Sequence, residues 1–118
     1  MREKTENEIL LSIITINYNN AFGLRKTLSS VAGQSFKNYE HIIIDGLSTD
    51  DSKNVIEEFL KNEDYAHHVS FWCSEKDSGI YNAMNKGILH ASGKYLLMLN
   101  SGDELYENSL QETKNLST

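Results

Sequence analysis

The chain has 118 residues, one cysteine and a formal net charge of −6, from 11 basic and 17 acidic side chains. This is the length of a single domain, and the acidic balance argues against a nucleic-acid-binding protein, which needs a basic face to displace counterions from phosphates. The lone Cys73 excludes an internal disulfide and a cysteine-based zinc site, and it favours a reducing, cytoplasmic compartment.

Strand-like and helix-like segments alternate along the chain. After a polar tail at 1–8, apolar β-branched runs predict four strands in one domain over 9–118. Apolar residues at helical spacing predict helices between them and a weaker one at the end. The strands are expected at 10–16, 40–45, 69–73 and 94–99, and the helices at 21–34, 52–61, 80–91 and 107–116, with Gly93 closing the third helix.

This order predicts a parallel, Rossmann-like α/β sheet with helices on both faces, because right-handed crossovers bring consecutive parallel strands into one sheet. Ligands of such sheets bind beyond the carboxyl ends of the strands. Those ends are Asn17, Asp45, the loop 74–79 and the segment 100–103. Three of the four carry carboxylates, which an ordinary structural turn does not require.

Two strand-end carboxylates allow both a functional and a structural interpretation. Asp45 ends a run of three isoleucines, where its carboxylate could accept hydrogen bonds from a ribose hydroxyl or a base N–H, or could only cap the strand. Asp103 follows Gly102, and a carboxylate beside a glycine suits Mg²⁺ or Mn²⁺, although an ordinary turn explains the same residues. Asp50 and Asp51 are interpreted as caps of the next helix.

The remaining polar groups are less specific. In the segment 74–87, Asp77 or Ser78 could cap a helix, and Lys86 could lie on a solvated helical face. The four histidines have no metal-ligand spacing and are interpreted as structural or surface residues.

The chain has no Gly-x-Gly-x-x-Gly, P-loop or Gly-x-Ser-x-Gly pattern, which disfavours dinucleotide, P-loop and hydrolase functions. No apolar run is long enough to span a membrane, and a peripheral place at a membrane stays open.

Four segments in order resemble the inverting family 2 glycosyltransferases, which have the A-type, nucleotide-diphospho-sugar transferase fold: 12–19, 42–50, 74–87 and 93–103. The resemblance extends over about residues 9–106. It implies transfer of a sugar from a nucleotide-diphosphate sugar, with UDP as the family default, to a glycan or lipid-linked acceptor in polysaccharide biosynthesis. It also implies a Mg²⁺ or Mn²⁺ cofactor.

The resemblance further implies roles for individual residues. The residues expected at the donor nucleotide are Thr15, Asn17, Asp45, Asp77 and Lys86. The cation on the donor diphosphate is expected on Asp103, with Asn100 as a second candidate ligand. The Asp-x-Asp signature of the family is replaced here by Asn100-Ser101-Gly102-Asp103, which keeps one carboxylate and predicts weaker metal affinity.

Complete members of that family are longer and carry an Asp or Glu general base in their second half. We therefore expect a truncated domain that holds the donor-binding half, with the base beyond residue 118. One alternative is a non-catalytic nucleotide-binding half-domain that needs a partner or self-association; another is an unrelated α/β domain whose acids are only caps. Apolar surface that further elements would cover predicts a homo-oligomer.

Overall fold

The computed structural model describes residues 8–107 and 109–110, and within them it contains four strands and four helices. In chain order these are β1 (Leu11–Asn17), α1 (Ala21–Ala32), β2 (Tyr39–Asp45), α2 (Ser52–Leu60), α3 (Glu63–Ala66), β3 (Val69–Ser74), α4 (Ile80–Leu89) and β4 (Tyr95–Asn100). The predicted strands and main helices are therefore present, with ends displaced by one or two residues.

The four strands form one parallel sheet in the order β3-β2-β1-β4. The register places Asn17 opposite Asp45, Asp45 opposite Ser74, and Ile16 opposite Asn100. The carboxyl ends of all four strands therefore meet at one edge of the sheet. The predicted α/β fold with a parallel sheet is confirmed.

Helices cover both faces of this sheet, as the continuous apolar character of the inner strands predicts. On one face, Ile43 of β2 packs with Leu24 and Leu28 of α1 and with Val55 and Ile56 of α2. On the other face, α4 contributes a buried Ala83 to a cluster with four isoleucines of the inner strands. These are Ile14, Ile16, Ile42 and Ile44.

Helix α4 packs through small side chains, which corrects the sequence prediction. The helix was predicted from the helical spacing of Ile80, Met84, Ile88 and Ala91, a pattern that places these residues on its buried face. Its buried residues are instead Ala83 and Gly87, and Ile80 and Ile88 are exposed. A Cβ atom on Gly87 would overlap Cγ2 of Ile14. The close approach of α4 to β1 therefore requires glycine at this position. Met84 packs partly buried against the same cluster, while Ile80 and Ile88 lie outside it.

The end of α4 also differs from the prediction. The helix ends at Leu89 with His90 as its C-cap, so Gly93 does not close it. Gly93 instead passes close to β1, where a Cβ would lie 2.6 Å from Oγ of Ser12, and its N–H donates to that oxygen at 2.7 Å. Glycine is needed there for the approach of two backbone segments and not for a helix cap.

Two further differences lie in short segments. The sequence did not predict α3, a single turn whose N-cap Asn62 accepts hydrogen bonds from the N–H groups of Asp64 and Tyr65. The weak helix expected at 107–116 lies largely outside the described residues. In the described part of the chain, no helix combines the length and the apolar character needed to cross a membrane.

Candidate functional site

A cleft of about 490 Å³ opens at the carboxyl edge of the sheet, on the side covered by α4. Its walls are the ends of β1 and β4, the turn after β2, and the loop and first turns of α4. The lining residues are Ile16, Asn17, Tyr18, Gly46, Lys76, Asp77, Gly79, Ile80, Ala83, Asn100 and Ser101. The cleft therefore lies where ligands of parallel sheets bind.

Asp45 lies beneath the cleft and is fully buried. Its Oδ1 accepts hydrogen bonds from Nδ2 of Asn17 at 2.7 Å and Oγ of Ser48 at 2.6 Å, and its Oδ2 accepts from the N–H of Ser48 at 2.9 Å and Oγ of Ser74 at 2.8 Å. Burial alone would raise the pKa of Asp45, but these hydrogen bonds outweigh it and hold the pKa below its usual value. Asp45 is thus a charged carboxylate with protein donors on both oxygens.

Asn17 connects this buried carboxylate to the cleft. The residue is 5% exposed and lines the cleft wall, and its Nδ2 donates to Asp45 and, at 3.4 Å, to Oγ of Ser48. Its Oδ1 is buried and accepts no hydrogen bond from any residue that the structure describes. Buried polar atoms normally have a partner, so Asn17 presents an unsatisfied acceptor beside the cleft.

Thr15, two residues earlier on β1, lies in the interior and does not line the cleft. Its Oγ1 lies 2.7 Å from Nε2 of His41 on β2, and both residues are fully buried or nearly so. Burial lowers the pKa of His41 to about 3, so its imidazole is neutral. The structural interpretation of His41 agrees with this position, and Thr15 has no exposed surface in this structure.

The loop before α4 brings Asp77 to the cleft. Oδ1 of Asp77 accepts a hydrogen bond from the N–H of Gly79 at 3.1 Å, and Oδ2 lies 2.9 Å from the position that a Cβ on Gly46 would take. The ring of Tyr18 approaches the same position within 3.4 Å. A side chain at position 46 would therefore crowd the Asp77 carboxylate and the Tyr18 ring, and glycine avoids this.

Lys86 supports this loop from outside the cleft. Its Nζ donates to the carbonyl oxygen of Lys76 at 2.9 Å and lies 3.2 Å from Oε1 of Glu75. The structure therefore places Lys86 as a brace for the loop that carries Asp77, outside the lining of the cleft.

Asp50 joins the two turns that border β1 and β2. Its carboxylate accepts hydrogen bonds from the N–H groups of Ala21, at the start of α1, and Ser52, at the start of α2. The predicted capping role of Asp50 is confirmed for α2, and its hydrogen bond with the start of α1 was not predicted. Asp51 occupies the N-cap position of α2 without a capping hydrogen bond and accepts instead from Nδ2 of Asn54.

The turn after β4 places Asp103 at the rim of the cleft. Oδ2 of Asp103 accepts a hydrogen bond from the N–H of Asn100 at 2.9 Å, and Gly102 takes a φ of 105°, which glycine adopts without strain. Oγ1 of Thr27 fixes the turn to α1 by donating to the carbonyl of Asp103 at 2.6 Å. Oδ1 of Asp103 makes no hydrogen bond within the described residues.

A metal ion at this rim would have few protein ligands. Among the residues that the structure describes, no group of three or more His, Cys, Asp or Glu side chains could hold a metal. Asp103 is exposed and has one unpaired carboxylate oxygen. This arrangement fits a hard cation that takes its other ligands from water and a bound phosphate, and it does not fit a permanent structural metal site.

The residues at the predicted strand ends therefore form part of the cleft wall. Of the predicted site residues, Asn17, Asp77 and Asn100 line the cleft, Asp103 lies at its rim, and Thr15, Asp45 and Lys86 lie behind it. Lys76, Gly79 and Ser101 lie within the predicted strand-end segments 74–79 and 100–103 without being named there, and the prediction missed Tyr18, Gly46, Ile80 and Ala83. The only signal for Tyr18 and Gly46 in the sequence is that each directly follows a predicted strand-end residue.

A family model, Glycosyl transferase family 2, matches residues 12–115 of the chain. An uncharacterized glycosyltransferase of Mycobacterium tuberculosis is 43% identical over 94 residues, which are 79% of this chain and 34% of that protein. The PGL/p-HBAD biosynthesis glycosyltransferase of Mycobacterium bovis is 36% identical over 100 residues, 83% of this chain and 37% of that protein. The chain thus spans little more than a third of the length of these relatives.

Solved structures of similar fold include S. aureus TarS and a mannosyltransferase. S. aureus TarS, residues 1–349, solved in complex with UDP, superposes with a TM-score of 0.76 at 24% identity, over 91% of this chain and 31% of that one. The mannosyltransferase PcManGT from Pyrobaculum calidifontis, solved with GDP-Man and Mn²⁺, also gives a TM-score of 0.76, at 17% identity, over 88% of this chain and 30% of that one. At these identities the likeness concerns the fold alone.

Proposed function

Because the chain belongs to glycosyl transferase family 2, we propose that its cleft binds the nucleotide-diphosphate sugar donor of a glycosyltransferase, with UDP as the first nucleotide to test. One observation carries this proposal: Asn17, Tyr18, Gly46, Asp77 and Asn100 line a single cleft at the carboxyl edge of the sheet. The bound UDP of TarS and GDP-Man of PcManGT, which share this fold, support the same class of ligand.

The two ends of the cleft suit different parts of such a donor. At one end, the Tyr18 side chain is 63% exposed and offers an aromatic face on which a base can stack. At the other end, Asn100 and Ser101 lie next to the Asp103 carboxylate. We therefore assign the nucleoside to the Tyr18 end and the diphosphate to the Asp103 end.

Asp103 would hold a Mg²⁺ or Mn²⁺ ion, with Asn100 as a second candidate ligand. When bound there, such a cation supplies positive charge to the departing diphosphate. The single carboxylate predicts that the cation binds weakly without nucleotide, because its remaining ligands must come from water and the diphosphate. The presence of Mn²⁺ in PcManGT supports a divalent cation as the cofactor.

The transfer step itself also belongs to the proposal. Inversion at the sugar carbon needs a general base on the face opposite the leaving diphosphate. Asp45 does not fit this role, since all its hydrogen-bonding positions are used by protein donors. We propose that the base, and the site for a glycan or lipid-linked acceptor of polysaccharide biosynthesis, are supplied outside these residues, and that the enzyme works in the cytoplasm or at the membrane surface.

The test is calorimetric titration of the chain with UDP, in Mn²⁺ and in EDTA, for the wild type and Asp103→Asn. We expect tighter binding with Mn²⁺ in the wild type, and loss of that enhancement in Asp103→Asn with little change in EDTA, because base contacts lie elsewhere. Linkage requires the nucleotide to tighten Mn²⁺ binding by the same factor. Glu104→Gln, an exposed carboxylate one residue away, is the matched control and should keep the enhancement.

Two outcomes would contradict the proposal in different ways. If UDP and other nucleoside diphosphates fail to bind the folded chain under both conditions, the proposed function is wrong. If Asp103→Asn keeps the full Mn²⁺ enhancement, the donor cleft stands but the metal is not held by Asp103.

A further inference from the structure

We propose that Oδ1 of Asn17 reads the nucleobase of the donor, and that Asp45 acts through Asn17 as a positioning residue without touching the nucleotide. The site would select bases with a ring N–H beside a carbonyl, such as uracil and guanine, over bases with an unprotonated ring nitrogen, such as cytosine and adenine. This inference rests on the proposed function, because it concerns the base of the same nucleotide.

The hydrogen bonds of Asp45 exclude it as the direct reader of the base. Each carboxylate oxygen already accepts two hydrogen bonds from protein donors, at 2.6 to 2.9 Å, and the residue is fully buried. A base N–H could bind Asp45 only by displacing one of these donors. The neighbouring group with unused acceptor capacity is Oδ1 of Asn17, which lines the cleft.

The orientation of the Asn17 amide is fixed by the charge beneath it. Nδ2 lies 2.7 Å from Oδ1 of Asp45, and a reversed amide would place two acceptor oxygens against each other. The amide oxygen is therefore the atom left toward a ligand. It is buried in the unliganded chain, so a base that reaches it must displace the atoms that cover it at the cleft wall.

A buried acceptor of this kind discriminates strongly between bases. A ring N–H satisfies Oδ1 of Asn17, whereas a ring nitrogen with a lone pair leaves two buried acceptors facing each other. Sites built around a hydrogen bond reject analogues that cannot make it, because their buried polar groups stay unpaired. UDP and CDP differ in the base alone, so their affinities report this contact directly.

The same geometry predicts a switch of preference in Asp45→Asn. The N–H of Ser48 donates to Oδ2 of Asp45 and cannot become an acceptor, so the amide oxygen of the new Asn side chain must take that position. Its NH₂ group then faces Asn17, where Oδ1 of Asp45 now accepts. Asn17 must reverse to accept this hydrogen bond, and its own NH₂ becomes the group offered to the base.

The experiment measures the affinities of UDP and CDP for the chain in Mn²⁺ by calorimetry, with GDP and ADP as a second pair. We expect the wild type to prefer UDP over CDP by about tenfold or more. Asp45→Asn should lose or reverse this preference, and Asn17→Ala should abolish it without reversal. Asp50→Asn, a carboxylate in the following turn that caps α1 and α2, is the matched control and should keep it.

The possible results separate this inference from the proposed function. Equal and measurable binding of UDP and CDP by the wild type overturns base reading by Asn17 while the donor cleft stands. An unchanged preference for UDP over CDP in Asn17→Ala also overturns base reading by Asn17. If thermal melting shows that Asp45→Asn does not fold, the result for Asn17→Ala alone tests the inference. Failure of all four diphosphates to bind overturns the proposed function, and this inference with it.

Discussion

Several polar residues are buried in this sheet, and the pair formed by Thr15 and His41 makes stability depend on pH. The imidazole lies 2.7 Å from the threonine hydroxyl in a fully buried position. A charged imidazole there would lose its hydration without gaining a carboxylate partner, which is why burial lowers its pKa to about 3. The pair therefore requires a neutral histidine.

This requirement predicts a loss of stability on mild acidification. In the unfolded chain His41 takes up a proton near its ordinary pKa of about 6.5, while in the folded chain it stays neutral down to about pH 3. The unfolded state therefore binds more protons in this interval, and stability falls as the pH falls. His41 should lower the free energy of unfolding by about 2 kcal/mol between pH 7 and pH 5.

Urea denaturation at several pH values measures this change. The carboxylates with lowered pKa values, Asp45, Glu40 and Asp50, act in the same direction but titrate in the unfolded chain below this interval. His68, whose pKa burial also lowers, contributes the same sign. The variant His41→Gln should lose most of the slope; an unchanged slope in this variant would show that His41 is not its source.

The positions of Asn17 and Asp45 could be predicted from the sequence, but their different roles could not. Asn17 and Asp45 were both predicted because each ends a strand, and both are at the expected edge. Their different roles depend on Ser48 and Ser74, which supply three of the four hydrogen bonds to Asp45. Serines are too common in loops to signal this arrangement, so the burial of the carboxylate could not be predicted.

At the scale of elements, the buried face of α4 is determined by its close approach to β1 and not by the hydrophobicity of its residues. Periodicity predicted that Ile80 and Ile88 face the core, but both are exposed because Ala83 and Gly87 bring the helix close to β1. The apolar patterns in the sequence predicted the four strands and the three longer helices. They did not predict the buried face of α4, since hydrophobicity scales do not identify glycine as an interface residue.

Two effects of opposite sign make Gly87→Ala a test of this packing. Helix propensity favours alanine over glycine by about 1 kcal/mol in a helix interior. The added methyl, however, would overlap Cγ2 of Ile14 in a fully buried strand, and such overpacking costs about 1–3 kcal/mol. We expect the steric cost to win and the free energy of unfolding in urea to fall.

The matched control on the same helix is Asn85→Ala, at an exposed position, which should change stability by less than about 0.5 kcal/mol. If Gly87→Ala is more stable than the wild type, propensity dominates, and α4 does not approach β1 as closely as the structure indicates.

At the scale of the whole molecule, the order β3-β2-β1-β4 determines which surfaces stay open. The sequence predicted parallel strands from their alternation with helices, but local patterns carry no information on strand order. In the described residues no strand pairs with the outer edge of β4. Tyr95 and Leu96 of β4 are about half exposed, and Leu89, at the end of α4, is 83% exposed.

This open edge leads to the prediction that the chain self-associates at high micromolar concentration. An unpaired strand edge can add a strand from a second molecule, and exposed apolar side chains beside it gain from burial on contact. The negative net charge opposes association but is screened by salt. Light scattering coupled to size-exclusion chromatography should therefore show a dimer or larger species, more so at higher ionic strength.

The variant Leu96→Lys tests whether β4 forms the contact, because a lysine on an edge strand disfavours pairing with another chain. We expect it to shift the population toward monomer without lowering affinity for UDP, since Leu96 lies away from the carboxyl edge of β4. Leu47→Lys, an equally exposed leucine in the turn after β2, is the matched control and should leave association unchanged. A wild-type chain that stays monomeric at the highest concentration contradicts the prediction, and equal loss of association in both variants places the contact elsewhere than on β4.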